Sequence, residues 1–180
     1  DSAAIPFGTA VEYAKEAQKK TNVSPAFLLA IITQESNLGT NTGSCYLTNT
    51  NTGAGVSSKS GKIYNNLMRG SSVSVFLDIT NSLGIDPYKT LVSCPIGNSG
   101  YGGAMGPAQF IATTWMGIKA KLEATLGVSN PDPWEPRHAF MASAIFLAEL
   151  GAGNNNYSSQ IKAACKYYGT GGSTCSYGRS

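Results

Sequence analysis

The sequence predicts an all-α domain. Three observations carry that expectation. Apolar residues recur at three- and four-residue spacing in segment after segment, those segments lie between helix-start residues and glycine stops, and no stretch alternates apolar and polar residues over a useful length. At most a short hairpin inside a loop is expected. No internal repeat is present, and 180 residues suit one domain, or one domain with a large insertion, with a core of ordinary size.

The elements follow in chain order. Residues 9–20 form an amphipathic helix with Val11, Ala14 and Ala17 on one side. Ser24 followed by Pro25 is an N-cap with proline at the first helical position, and Phe27, Leu28, Ile31, Ile32 and Leu38 then recur at helical spacing until Gly39. Residues 40–62 are rich in Thr, Asn, Ser and Gly, lack any period, and read as a long irregular loop holding Cys45. A helix over 72–83 turns Val73, Phe76, Leu77 and Leu83 inward and ends at Gly84. Asp86-Pro87, a loop with Cys94 and the glycine-rich stretch GNSGYGGAMGPAQF follow. Three more helices are expected: over about 114–126 to Gly127, from Asp132 or Pro133 to Leu150 ahead of Gly151, and over 158–168 to Gly169.

Composition narrows the function classes. Four cysteines, Cys45, Cys94, Cys165 and Cys175, are even in number and lack C-x-x-C spacing, so disulfides are a better reading than zinc or thiol redox chemistry. With 13% charged residues and 21 glycines, the chain suits an extracytoplasmic protein, whether secreted, periplasmic or on the cell surface. No apolar run is long enough to span a membrane, and the N-terminus DSAAIPFG lacks the basic-then-apolar build of a signal peptide, so a mature or trimmed form is expected. A net charge of +3, with lysines scattered among acids, does not indicate nucleic acid.

One residue breaks the apolar pattern. Glu35 lies three and four residues beyond Ile32 and Ile31, on the stripe that faces the core. Desolvation there, and the negative end of the helix dipole, would both raise its pKa, giving a carboxyl group protonated near neutral pH and fit to donate a proton. The structural alternative is an ion pair with a lysine or arginine at the core's edge. Position alone leaves both open.

Read together, AIITQESNLG (30–39), GYGGAMGPAQFIATTW (100–115), DPWEPRHAFMASAIFLAELGA (132–152) and AACKYYGTG (163–171) resemble lytic murein transglycosylases of the lysozyme-like superfamily. The long interval between the first two blocks resembles the membrane-bound B-type family. The resemblance implies a single lysozyme-like catalytic domain over 1–180, with a loop-and-helix insertion over about 40–99. It implies that Glu35 is the sole catalytic acid and base, with Ser36 the small polar residue that follows it. Met105, Gly106 and Gln109 fall on the block that lines the sugar cleft, where Gln109 would hydrogen-bond substrate; Phe110 suits the core equally well. Tyr167 matches the tyrosine of the family's Tyr-Asn block, and Tyr168 stands where asparagine is usual, which leaves open which tyrosine reaches the site. The family's serine that orients the acetamido group aligns with Gly100, so Ser99, one residue away, is the candidate here.

Some B-type members carry an acidic calcium loop before the long helix. Here that region is LGVSNPDPW, in which Asn130 and Asp132 alone cannot make an oxygen cage, and neither a bound metal nor a cofactor is expected. The cysteines lie outside the family pattern. Cys165 with Cys175 would flank the tyrosine block and Cys45 with Cys94 would tie the ends of the insertion, although four cysteines allow three connectivities.

The chemistry implied is cleavage of peptidoglycan glycan strands between N-acetylmuramic acid and N-acetylglucosamine, by a monomer, giving 1,6-anhydromuramyl ends without consuming water. Two-carboxylate glycosidases need a second acid. The chain holds only ten Asp and Glu, and none besides Glu35 falls in a matching block. Asp78, Asp86 and Glu149 read as solvated or structural, and Trp115 and Trp134 as core rather than sugar platforms. One histidine, His138, makes a zinc amidase or a Ser/His/Asp hydrolase implausible. The competing readings are a water-adding muramidase, a wall-binding module that does not cut, and a secreted structural protein.

Overall fold

In the computed structural model, residues 4–97 and 100–168 are described. Helices dominate: α1 (Phe7–Thr21), α2 (Pro25–Ser36), α3 (Gly70–Leu83), α4 (Ala112–Leu126), α5 (Pro136–Glu149) and α6 (Tyr157–Tyr168). Between α2 and α3 lie three short strands, β1 (Cys45–Leu47), β2 (Gly55–Ser57) and β3 (Ile63–Tyr64), and 3-10 turns occupy Pro87–Lys89 and Ala152–Asn154.

α5 is the axis of the helical part. Its small residues Ala139, Ala142, Ser143 and Ala144 admit neighbours on several sides, while Phe140, Met141, Ile145 and Leu147 fill the gaps between them, and all are buried. A helix apolar nearly all round belongs inside a bundle, and α1, α2, α4 and α6 all pack against it. Glu16 of α1 and Arg137 of α5 add a bidentate ion pair at 2.7–3.1 Å.

α2 begins as its sequence suggests, with Ser24 Oγ accepting from Phe27 N–H and Pro25 in the first turn. It ends earlier than Gly39: Asn37 takes the left-handed cap at φ 50°, and Leu38 follows at φ 53°. On α1 the buried stripe is Ala10, Ala14 and Ala17, with Val11 at its edge. α3 and α4 each start two residues before the expected position.

Two expectations are corrected. Residues 40–62 are not wholly irregular: β1 pairs antiparallel with β2 and β2 with β3, in the registers Cys45↔Ser57, Tyr46↔Val56 and Val56↔Ile63. Strands of two or three residues are too short to reveal an alternation. α5 does not start at Asp132 or Pro133. Pro136 disfavours a helical backbone at the residue before it, so Glu135 becomes the N-cap, accepting from His138 N–H at 2.9 Å, and residues 132–135 form a separate turn.

The two ends of the insertion meet. Cys45 is disulfide-bonded to Cys94, and Cys45 and Val92 exchange backbone hydrogen bonds at 3.0 and 2.9 Å. Cys165 is also disulfide-bonded; Cys175, the partner expected for it, lies outside the described residues. No helix among the described residues is long and apolar enough to cross a membrane.

Candidate active site

A cleft of about 720 Å³ opens where the ends of α2 and α6 face the start of α4 and the insertion. Glu35, Gln109, Tyr167 and Tyr168 line it, together with Ser93, Cys94, Ile96 and Tyr101 from the insertion side. Glu35 stands half-buried in the last turn of α2, because the stripe of Leu28, Ile31 and Ile32 below it is fully buried against the core.

A tight loop presents Gln109. Met105 N–H donates to Phe110 O at 2.9 Å and Gln109 N–H to Gly106 O at 3.2 Å, closing residues 106–109. Gly106 needs its φ of 63°, and a Cβ there would strike the backbone of Pro133. Gln109 adopts φ 56° without being glycine, the kind of costly backbone that persists where a surrounding structure imposes it. Its Nε2 donates to Thr42 O (3.1 Å) and Gly106 O (2.9 Å). The amide nitrogen is thus occupied by the protein, and Oε1 is the atom left to accept from a ligand.

Tyr167 is held in an aromatic cluster. Its ring centroid lies 5.5 Å from those of Phe110 and Phe146, and its hydroxyl donates to Ala108 O at 2.7 Å. Burial pushes the phenol well above its ordinary pKa. The fully buried hydroxyl of Ser143, close by, works the other way, and the negative charge of Glu35, the smaller influence, raises it further. Glu35 and Tyr167 are therefore electrostatic neighbours. Tyr168 is 53% exposed at the rim, so both tyrosines reach the cleft, one rigid and one open.

Three expected cleft residues sit beneath it instead. Ser36 is 1% exposed, and its hydroxyl donates to Pro107 O at 2.7 Å while accepting from Gly39 N–H at 3.0 Å. It ties the Glu35 helix to the Gln109 loop and has no face toward a ligand. Met105 is fully buried, and Gly106 packs against Pro133; neither lines the cleft. Ser99 lies outside the described residues. Phe110 both packs in the core and lines the cleft floor.

The remaining polar candidates have structural employment. Asp78 is exposed on α3, Asp86 Oδ1 accepts from Tyr88 N–H in a turn, and Glu149 pairs with Lys121 at 3.0 Å. His138 Nδ1 accepts from Asp132 N–H at 3.0 Å. Trp115 is core, and Trp134 donates its indole N–H to Leu91 O. Asn130 is joined to Ser82 through both ends of its amide, and Asp132 caps Trp134 N–H. In the LGVSNPDPW turn the side-chain oxygens Asn130 Oδ1 and Asp132 Oδ1 are thus used within the protein.

A helical domain of lysozyme-like build, with a carboxylate, a glutamine and a half-buried tyrosine lining one cleft, is the class of protein defined by this geometry. The chain belongs to the family described as Transglycosylase SLT domain, whose model matches residues 9–166. Solved structures agree on the fold. It is similar to the Escherichia coli lytic transglycosylase SLT35 in complex with bulgecin A (19% identity, TM-score 0.58) and in complex with calcium (18%, 0.57), each alignment covering 81% of this chain and 42% of that one. Soluble lytic transglycosylase SltB1 from Pseudomonas aeruginosa matches at 18% identity and TM-score 0.57, over 81% of this chain and 44% of its own. The chain thus spans well under half the length of these solved relatives. A comparison with curated protein sequences gives no match.

Proposed function

We propose that the protein is a peptidoglycan lytic transglycosylase that cuts the β-1,4 bond between N-acetylmuramic acid and N-acetylglucosamine, with Glu35 as its single acid and base. The observation that carries this reading is that Glu35 is the only carboxylate among the described residues lining the cleft. A two-carboxylate hydrolase would need a second acid across from it.

The chemistry balances without water. Glu35 gives its proton to the glycosidic oxygen as the bond from muramyl C1 breaks, and the acetamido group supports the oxocarbenium-like centre. The resulting Glu35 carboxylate then takes the proton of the C6 hydroxyl as O6 bonds to C1, which closes the 1,6-anhydro ring and restores the acid. Gln109 Oε1 would accept from a sugar N–H or O–H, the neutral Tyr167 phenol would keep the wall beside Glu35 rigid, and Tyr168 would border the sugars at the rim. Ser99 remains the candidate for orienting the acetamido group.

Further parts of the reading belong with it. The long insertion between the glutamate and glutamine blocks favours the membrane-bound B-type branch, residues 1–180 make one catalytic domain, and the protein acts outside the cytoplasm as a monomer. The disulfide across the insertion supports an oxidising compartment.

The test is digestion of purified peptidoglycan by the wild type and by Glu35→Gln, with the soluble muropeptides identified by mass spectrometry. Products lighter by one water than hydrolytic ones, and lost in the variant, are expected. Ordinary reducing ends would make the protein a muramidase, and binding without release by either protein would make it a wall-binding module.

A further inference from the structure

Among the described residues, Lys166 is the one cation lining the cleft. Among the described residues lining it, Glu35 and Lys166 alone carry charge; the rest are neutral side chains such as Ile96, Tyr101, Ile111 and Thr114. Five other cations have partners, Lys119 with Glu123, Lys121 with Glu149, Arg137 with Glu16, Lys62 over the Tyr64 ring and Arg69 over the Tyr101 ring, while lysines such as Lys89 and Lys162 lie outside the cleft. Lys166 is exposed, and no described residue pairs with it.

Its position is set by its neighbour. Lys166 occupies the last turn of α6, directly before Tyr167, whose ring packs on Phe110 and whose phenol feels the Glu35 charge. Lys166 thus lines the same cleft as Glu35, with its ammonium group at the end of a flexible four-carbon stem. A neutral glycan offers such a group only hydroxyl and acetamido oxygens, whereas an anion offers a stronger, charge-assisted contact. An exposed cation in a cleft otherwise lined mainly by neutral and apolar side chains is suited to a ligand that brings its own negative charge.

We propose that Lys166 is the anion receptor of this cleft, binding a carboxylate carried on the substituent of the muramyl ring. The inference rests on the glycan-cleaving reading above and adds a specificity-determining residue to it. The carboxylate has two possible sources with one chemistry: the lactyl group itself, free when no peptide is attached, and the stem peptide, which amidates the lactyl group and supplies carboxylates of its own. The competing role for Lys166 is local, a cation that favours the negative C-terminal end of α6.

The experiment uses Lys166→Gln, Lys166→Arg and, as a control one turn earlier on the same helix, Lys162→Gln, which removes the same charge from an exposed residue outside the cleft. Steady-state cleavage is measured on stem-bearing glycan strands and on strands stripped of their stems by an amidase. A neutral N-acetylglucosamine oligomer serves as competitive inhibitor. For Lys166→Gln, KM is expected to rise about tenfold on a carboxylate-bearing strand with kcat nearly unchanged, from loss of one charge-assisted contact. The oligomer's inhibition constant should stay put, Lys166→Arg should recover most of the loss, and Lys162→Gln should match the wild type. Loss on stripped strands alone assigns the lactyl carboxylate, and loss on stem-bearing strands alone assigns the peptide. Equal weakening toward the neutral oligomer, or a fall in thermal stability with no change in KM, overturns the proposal in favour of the helix-end role. A wild type that cleaves neither strand overturns the reading beneath it, an outcome distinct from a wild type that cleaves while Lys166→Gln behaves identically.

Discussion

The two walls of the cleft are built on different principles. The helical wall, which bears Glu35 and Tyr167, is held by burial: Leu28, Ile31 and Ile32 anchor the end of α2, and Phe110, Phe146 and Tyr167 pack ring against ring beside α5. The insertion wall, which bears Ser93, Cys94, Ile96 and Tyr101, has strands of two or three residues and leans on a cross-link and on backbone pairing at Cys45 and Val92. Ile96 and Tyr101 stay 84% and 51% exposed there. The wall that carries the proposed acid thus rests on packed side chains besides the Cys165 disulfide, while the facing wall adds the Cys45–Cys94 tie to buried residues such as Leu47, Leu67 and Val92, and each should fail in its own way.

The helical wall should break hardest. Phe110→Ala removes a ring that touches Trp115, Phe146 and Tyr167 at once, and a loss of about 3–5 kcal/mol is expected in chemical denaturation. The insertion wall comes next. Replacing Cys45 and Cys94 together by alanine should cost about 2–4 kcal/mol, and hydrogen exchange should rise around Cys45 and Val92 while the α5 amides stay protected. Uniform loosening of α5 would mean that the walls are not independent.

Tyr167→Phe probes the electrostatics of the helical wall. It removes the bond to Ala108 O, for an expected loss of about 1–2 kcal/mol. Because burial, and secondarily the Glu35 charge, raise the folded-state pKa of this phenol, its neutral form is favoured by folding. That contribution is whole below the unfolded pKa of about 10 and disappears as pH rises beyond it. The gap between wild type and Tyr167→Phe should therefore narrow in melts run above about pH 10. The smallest effect belongs to Arg137→Ala: the Glu16 pair is more than a third exposed on both sides, and after solvent screening about 1 kcal/mol or less is expected.

Much of the helical wall was readable as sequence. Ser24-Pro25, the 3.6-residue recurrence of Leu28, Ile31 and Ile32, and the intrusion of Glu35 are local signals, and α2 with its acid stands where they point. The glutamine block was recognisable too, but the roles inside it were not. Met105 and Gly106 lie adjacent in sequence to cleft residues yet face the core, since the direction of a side chain in a tight loop depends on positive φ values that composition does not reveal. Ser36 looks like a cleft hydroxyl until Pro107, 71 residues away, is seen to accept from it. Lys166 passed unremarked because a lysine in an amphipathic helix is ordinary there, and only the cleft makes it unusual.

Most helix positions, the Ser24 cap of α2 and the place of Glu35 on its stripe follow from interactions within a few residues and so were legible in the sequence, whereas the Asn37 end of α2 and the Glu135 cap of α5 were not. Which carboxylates share the cleft, which tyrosine is rigid, which atom of Gln109 is free and what stands opposite Glu35 depend on groups brought together from α2, the insertion, α4 and α6. Those distances are settled when α5 is buried among its neighbours and Cys45 meets Cys94, because long-range packing and cross-linking join what chain order keeps apart.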